Sequence, residues 1–428
     1  MSTAHIIAQL CMLATLILMI TGKTPIYMTA IVGAAISALI AGFPMAGGTG
    51  MTVTKMIVSG LNPVIADMTG ILLFIGIMQA TGFLDVIIRD IVRLGNKWGG
   101  GVGVACAGGV AAGVIGALTG FTQPVITAVI CGPAAVRLGV RPKRTAAGMI
   151  AHAGHIGNLA GFTHPTQVAI LATAGIGYGL FNVLGFIAAG SIFVLSAIRA
   201  TADMRRRGIK IDAAEKARII QEIENREYST TSWKAFFPFL VLVIGFICGL
   251  PIFLVGMAAA IVTMMLAHAS PKQAELDMMK GVSLIATPLV ATIGFLFMST
   301  VIREIGMVQT VSDFVSPVLS VQPVLILFAV AFLTGFMTQS YAASVAVLVP
   351  FLQVTLQTGA DPFASAFAAA SGCSLIQYFL TGGPVAALST VIPVIPGSDL
   401  KGANAFQRPS ILFGCLVAFI ITACLAFL

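Results

Sequence analysis

Thr119-Gly120-Phe121-Thr122-Gln123 in the first half of the chain and Thr334-Gly335-Phe336-Met337-Thr338-Gln339 in the second are near copies of one segment. Downstream of each lies a polar stretch, broken by proline, inside an otherwise apolar run: Asn158 to Pro165, then Gln377 to Pro384. A duplicated segment followed at matching distance by an interrupted helix is the pattern of carriers built from two structural repeats. It predicts a paired or re-entrant helical segment and a broken transmembrane helix in each half.

Composition supports a membrane setting. Of 428 residues, 58% are apolar and 9% are charged, against about 25% charged in a soluble domain. The windows Ile6 to Thr21, Ala30 to Phe43, Ile71 to Phe83, Phe237 to Leu250, Phe253 to Ala267 and Ile411 to Leu428 are each long enough to cross most or all of a bilayer. The fold class expected is therefore an all-α polytopic membrane protein. No basic leader or small-residue cleavage site precedes Lys23, so the first apolar stretch reads as a retained helix. Seven cysteines stand in apolar spans without metal-type spacing and read as reduced packing residues.

One long hydrophilic stretch, Arg199 to Lys234, carries nine Lys/Arg against six Asp/Glu and divides the chain. Three parts follow: residues 1–199 as a first transmembrane repeat, 200–234 as a basic linker, and 235–428 as a second repeat. Helical charge spacing from Asp212 to Glu227, with Glu222 and Arg226 at i,i+4, predicts a surface helix in the linker, and the positive-inside rule puts it in the cytoplasm. If each half makes an odd number of crossings, 21 of the 23 basic residues share the linker's side, leaving Lys55 and Arg303 opposite. The basic loop Arg137 to Arg144 corresponds to Leu352 to Asp361, which has no Lys or Arg. Matching loops then face opposite sides, and the repeats are inverted. The net charge of +8 is accounted for by topology and calls for no nucleic acid; contact with membrane lipid is the lesser reading.

The polar residues kept inside spans mark the site. His152, His155 and Asn158 recur every three residues on one helix face ahead of Gly161-Phe162-Thr163-His164-Pro165, and Ser371, Ser374 and Gln377 follow at a constant spacing, as Pro384 follows Pro165. Proline removes a donor and frees backbone groups near Thr163 and Gly382, and freed groups at membrane depth must line a cavity or be satisfied by protein. Thr122, Gln123, Thr338, Gln339, Ser340 and Ser344 fall near the turns of the paired segments, where half-helix N-termini can hold an anion without a buried arginine. The same side chains can also serve as plain interhelical hydrogen bonds, and the run Gly99 to Gly116 reads as close helix packing, since no Gly-Lys-Ser/Thr follows it. His152 and His155 spell His-x-x-His without the glutamate of a zinc hydrolase, so no metal is expected. Among the acids, Asp85 is placed deepest in an apolar stretch.

At these residues the chain resembles the ion transporter superfamily, most of all the gluconate permease family, with C4-dicarboxylate carriers as relations. The resemblance rests on Ala151-His152 to His164-Pro165, Val168-Ala169-Ile170 and Gly177-Tyr178-Gly179-Leu180, and on Thr338 to Val349 followed by Ser371 to Gly383. It implies two hairpins, two broken helices, a central substrate site, a homodimer and proton-coupled uptake of a small carboxylate.

These readings together lead to the expectation of a secondary active transporter of a small organic anion, a sugar acid or dicarboxylate, working by alternating access in a bacterial inner membrane. Substrate contacts are expected from Thr122, Gln123, His155, Asn158, Thr163, His164, Thr338, Gln339, Ser374 and Gln377. His152, His155 and Asp85 are the candidates for coupling to protons, with Na+ the other coupling ion, and no cofactor is expected. An inorganic ion/proton antiporter of the same fold would need a buried carboxylate such as Asp85. A membrane-embedded enzyme would need a nucleophile and base pair, which the chain does not offer.

Overall fold

The computed structural model describes residues 2–21, 24, 26–59, 63–119, 124–210, 213–224, 228–248, 250–283, 286–311, 313, 322–339, 341–380, 388 and 390–428. The regular elements among them are all helices, with no strand. The first repeat comprises α1 (Thr3–Thr21), α2 (Ile26–Ile40), α3 (Val53–Ser59), α4 (Pro63–Ala80), α5 (Phe83–Thr119), α6 (Pro124–Arg137), α7 (Pro142–Leu159), α8 (Pro165–Ala174) and α9 (Leu180–Arg206). Helix α10 (Ala213–Glu224) occupies the linker. The second repeat comprises α11 (Ser232–Ile247), α12 (Ile252–Leu266), α13 (Pro271–Ser283), α14 (Ala286–Glu304), α15 (Pro323–Thr338), α16 (Tyr341–Gln357), α17 (Pro362–Ile376), a 3-10 turn (Ile392–Val394) and α18 (Leu400–Ala426).

Helix α5 is two rods. Gly100 takes φ 52° and ψ −133°, a conformation that costs little only without a side chain. The chain reverses there, so that Gly95 of the first arm, 83–99, lies against Gly103 and Ala107 of the second, 101–119. The second arm then runs antiparallel to α6, with Gly101 facing Leu138 and Gly108 facing Cys131. In the second repeat α15 and α16 make the matching hairpin.

The broken helices begin alike. Gly139 (φ +89°) and Gly359 (φ +83°) turn the chain, Arg141 and Asp361 are the N-caps, and Pro142 and Pro362 open the helices. Proline fits there because its missing N–H would have no partner in the first turn. Asp361 also accepts from Ala364 N at 2.7 Å, a cap contributing about 1 kcal/mol. These landmarks, and the starts of the 27-residue helices α9 and α18, repeat at a spacing one residue longer than that of the polar stripe. Measured from the helix starts, Ser371, Ser374 and Gln377 stand one position, about 100° of turn, away from the faces that carry His152, His155 and Asn158. The register read from side chains is thus corrected by one residue.

Contacts between α9 and α18 show the repeats to be inverted. Arg199 donates to Phe406 O, Ser196 Oγ donates to Ser410 Oγ at 2.8 Å, and Ile192 packs on Gly414. As one number falls the other rises, so these counterpart helices run in opposite directions. Elsewhere the halves exchange partners: α4 packs on α12 and α13, while α2 and α3 pack on α14. Backbones meet where Gly76 faces Gly281; a Cβ on Gly76 would lie 2.6 Å from Asp277 O.

Outward surfaces are apolar, with Leu10 and Ile17 on α1, Val183 and Val194 on α9, and Leu416 and Ile420 on α18 all exposed. Backbone groups in helices are satisfied internally, which lets such faces meet lipid. Leu180–Arg206 and Leu400–Ala426 are long and apolar enough to cross a membrane, and shorter apolar helices accompany them. The protein is a multi-pass membrane protein. All seven cysteines are free.

Helix α9 continues to Arg206, beyond the boundary read at residue 199, and its end is pinned by Asp203. That carboxylate meets Arg141 (3.3 Å), Arg144 (3.1 Å) and Arg207 (3.0 Å). Helix α10 lies across the base of the first hairpin, where Arg137 donates to Glu215 at 2.6 Å and to Glu222 at 3.0 Å. Those bonds hold the Glu222 carboxyl below the usual carboxylate range. Arg226, the expected partner of Glu222, lies outside the described residues, as does Lys23; Arg218 fills the i,i+4 role at 3.4 Å.

The inversion yields a direct test. Ser196→Cys with Ser410→Cys, in a background with the native cysteines replaced, is expected to form a disulfide on mild oxidation. Cleavage at a protease site placed in the linker then leaves the halves joined on a denaturing gel until reductant is added; two copies pointing the same way would leave them separable.

Candidate functional site

Helix α7 ends at Leu159, and residues 161–164 are irregular before Pro165 starts α8. Helix α17 ends at Ile376. Both interruptions fall where the sequence expects them, although Gly382 and Pro384 lie outside the described residues. Breaking a helix in a membrane frees carbonyls, and here each set is taken up by the final span of its own repeat. Asn182, on α9, donates to Ala160 O (3.1 Å) and Gly161 O (3.3 Å). In the second repeat Asn404 and Gln407 of α18 donate to Tyr378 O at 3.2 and 2.8 Å. Arg408 donates to Phe379 O at 3.0 Å and stacks over the Phe379 ring. Sequence reasoning passed over all four, and put Arg408 with the cytoplasmic basic set. A position in the first turns of the span after a break was the available signal.

The two broken helices cross at His155. Its Nδ1 faces Ala151 O, one turn back in α7, and its Nε2 faces Leu375 O of α17 at 3.0 Å. One turn on, Asn158 Nδ2 donates to Tyr378 Oη at 3.0 Å, and the Tyr378 ring meets His155 edge-on. Gln377 donates to Ser374 O in its own turn at 2.9 Å. His155, Asn158, Ser374 and Gln377 are thus gathered at one crossing, all buried.

Hairpin arms close this crossing from both sides. Leu118 O of the first hairpin accepts from Thr163 Oγ1 at 3.0 Å and Ala117 O from Phe162 N at 2.7 Å. This places the end of the second arm of α5 at the level of the α7 break. Its tip, with Thr122 and Gln123, lies outside the described residues. In the second hairpin Gly335 packs on Cys373, and Phe336 packs on Phe379. There Thr338 shares a hydroxyl bond with Ser344 at 2.8 Å, and Gln339 turns the chain at φ 49°; Ser340 lies outside the described residues. Tyr341, opening α16, packs its ring at a tilt against His164 and donates to Gln167 Oε1, both at the opening of α8. The N-termini of α8 and α16 therefore converge. At the opening of α8, His164 Nδ1, Thr166 Oγ1 and Gln167 Nε2 are buried without a hydrogen-bond partner among the described residues, as is Ser374 Oγ on α17. Unpaired buried polar atoms are uncommon in native proteins and call for an explanation.

Two expected coupling residues are elsewhere. His152 points away from the crossing, stacked on Phe193 of α9 at 3.4 Å between ring centres. It lines a small cavity with Arg144, Ser196 and Phe406. Asp85, read as the acid deepest in an apolar stretch, is exposed in the first turn of α5. The chain breaks between α4 and α5, and linker Ser229 donates to Thr81 O there at 2.6 Å, so the apolar run that seemed to enclose Asp85 is two helices joined at their ends.

No protein-family model matches the chain. No curated protein matches it either. Among solved structures it resembles the Alcanivorax borkumensis YdaH transporter, whose crystal structure is described as revealing an unusual topology. The likeness is at 15% identity over 97% of this chain and 98% of that one, with a TM-score of 0.59. At that identity the likeness shows a shared fold.

Loss of the carbonyl caps is expected to destabilise the protein. Asn182→Ala, and Asn404→Ala combined with Gln407→Ala, which together strip Tyr378 O of both donors, should each cost about 1–3 kcal/mol, the penalty for leaving buried acceptors unpaired. Thr173→Ala, which removes only a bond back along its own helix, should cost about 0.5 kcal/mol or less. Melting of the purified protein followed by size-exclusion chromatography measures the order.

Proposed function

We propose that the protein is a secondary active transporter of a small organic anion, a sugar acid or a dicarboxylate, operating by alternating access in a bacterial inner membrane. The observation that carries this reading is the convergence of the α8 and α16 N-termini beside His164 Nδ1, Thr166 Oγ1 and Gln167 Nε2, buried atoms with no hydrogen-bond partner among the described residues. Helix N-termini favour negative charge, and hydroxyl and amide donors satisfy carboxylate oxygens. The described side chains of this cluster carry no Lys, Arg, Asp or Glu, so a carboxylate would be held by dipoles and neutral donors. Such a grip is tight enough to select and weak enough to release. His155 is the proposed proton carrier, since a charged imidazole can donate from both ring nitrogens to the two carbonyls that flank it. Na+ is the other coupling ion, and a homodimer the proposed assembly. The likeness to the gluconate permease and C4-dicarboxylate carrier patterns supports a carboxylate cargo on the fold of a transporter.

Proteoliposomes given labelled sugar acids, C4-dicarboxylates and tricarboxylates, with proton and sodium gradients imposed separately, test the proposal. One of the carboxylates should accumulate and be recovered chemically unchanged. Gln167→Glu retains an acceptor for Tyr341 but puts a negative charge at the α8 N-terminus, and should lower uptake by about tenfold or more. Movement of a monovalent cation with no carboxylate would overturn the reading.

A further inference from the structure

The chain has two tryptophans, and each directly follows in sequence a residue, Lys97 or Ser232, that lines one basic pocket. Trp98 is 79% exposed and Trp233 is 61% exposed. The pocket has a volume of about 630 Å³ and is lined by Asp90, Arg93, Leu94, Lys97, Lys216 and Ser232. Three elements build it: the first arm of α5, the linker helix α10 and the start of α11. They are tied together, with Lys216 Nζ donating to Lys97 O at 3.3 Å, Asn96 Nδ2 to Lys216 O at 3.5 Å, and Arg89 to Ser232 Oγ at 2.7 Å. The lining carries three cations and one carboxylate, and that carboxylate, Asp90, is already paired with Arg89 at 2.7 Å.

Exposed tryptophans settle at the level of lipid headgroups, and basic pockets between membrane helices on the cytoplasmic side bind anionic headgroups. The exposed Leu94 beside the cations offers an acyl chain a path off the pocket. A soluble anion would gain from the charges but not from Leu94, Trp98 and Trp233. We infer that this pocket binds the phosphate headgroup of an anionic phospholipid, and that the bound lipid clamps linker helix α10 onto the base of the first hairpin. Helix α10 already reaches Arg137 at the end of that hairpin, so the lipid would steady the hairpin, whose other end meets the α7 break.

The full-length protein in vesicles of phosphatidylcholine, titrated with brominated phosphatidylglycerol or brominated phosphatidylcholine, provides the test, because quenching of intrinsic fluorescence reports on Trp98 and Trp233 alone. Brominated phosphatidylglycerol should quench at a lower mole fraction than brominated phosphatidylcholine, and 0.5 M salt should remove most of the difference. Lys97→Gln with Lys216→Gln should weaken the phosphatidylglycerol preference by about tenfold or more, each cation near a charged surface being worth about fivefold. Arg218→Gln with Lys272→Gln, at cations outside the pocket, should leave it unchanged. Equal quenching by the two lipids in the unmodified protein overturns the inference whatever the variants do. So does an unaltered preference in the pocket variant, or full relief of quenching by soluble glycerol phosphate at matched concentration, which would assign the pocket to a free phosphate compound.

Discussion

The structure depends on what happens to backbone carbonyls where two helices stop inside the membrane. A broken helix in a bilayer is tolerated only where protein or a water-lined cavity satisfies the freed groups. Here Asn182 performs that task in the first repeat, and Asn404, Gln407 and Arg408 perform it in the second. Because the capping side chains sit on the last span of each repeat, α9 and α18 position the ends of α7 and α17. The same two spans pack on each other through Arg199, Ser196 and Ile192. Carbonyl capping and inter-repeat packing are therefore carried by one pair of rods, and a shift of α9 along α18 would be felt at both breaks.

The duplicated Thr-Gly-Phe segments and the proline-broken stretches were enough to read two hairpins and two interrupted helices, because each depends on local chemistry: glycine turns, proline at a helix start, a polar stripe in an apolar run; the inversion was read instead from basic residues present in the Arg137 to Arg144 loop and absent from Leu352 to Asp361. Pairing between distant segments was not legible. Asn182 and Asn404 carry no motif, and their role exists only once α9 returns past the end of α7. Asp85 was misread for a related reason, since apolar residues on both sides suggest burial unless the helix boundary at Gly82 is seen. The one-residue register difference has the same origin: the polar stripe matches side chains by kind, whereas the N-caps before it and the starts of α9 and α18 after it fix the register of the helices.

His152 and His155 illustrate the limit of spacing as a guide. Three residues apart on one helix, they share a face loosely, yet a rotation of about 300° leaves them offset by a sixth of a turn. That offset is enough to put His152 against Phe193 of α9 and His155 against α17. Crowding decides the rest. Gly109 of the first hairpin lies against His152, and a Cβ there would come within 2.9 Å of the histidine Cβ, so the small residues of the hairpin's second arm bring it close to α7.

On the proposed transport reading, the crossing at His155 is also where proton binding and helix position would be linked. A neutral imidazole carries one N–H, so it can donate to Ala151 O within α7 or to Leu375 O on α17, but not to both; the charged form can do both. Protonation would thus strengthen the tie between the broken helices, and loss of the proton to Nδ1-only donation would release Leu375 O. Charging a buried ring is costly without an anion nearby, and a carboxylate held by the α8 and α16 N-termini, a short distance along the same break, would offset that cost. Cargo and proton would then each favour the other's binding, which is the thermodynamic condition for coupled movement. On this reading it needs no carboxylate of the protein at the crossing, only one histidine placed where two opposed helices cross.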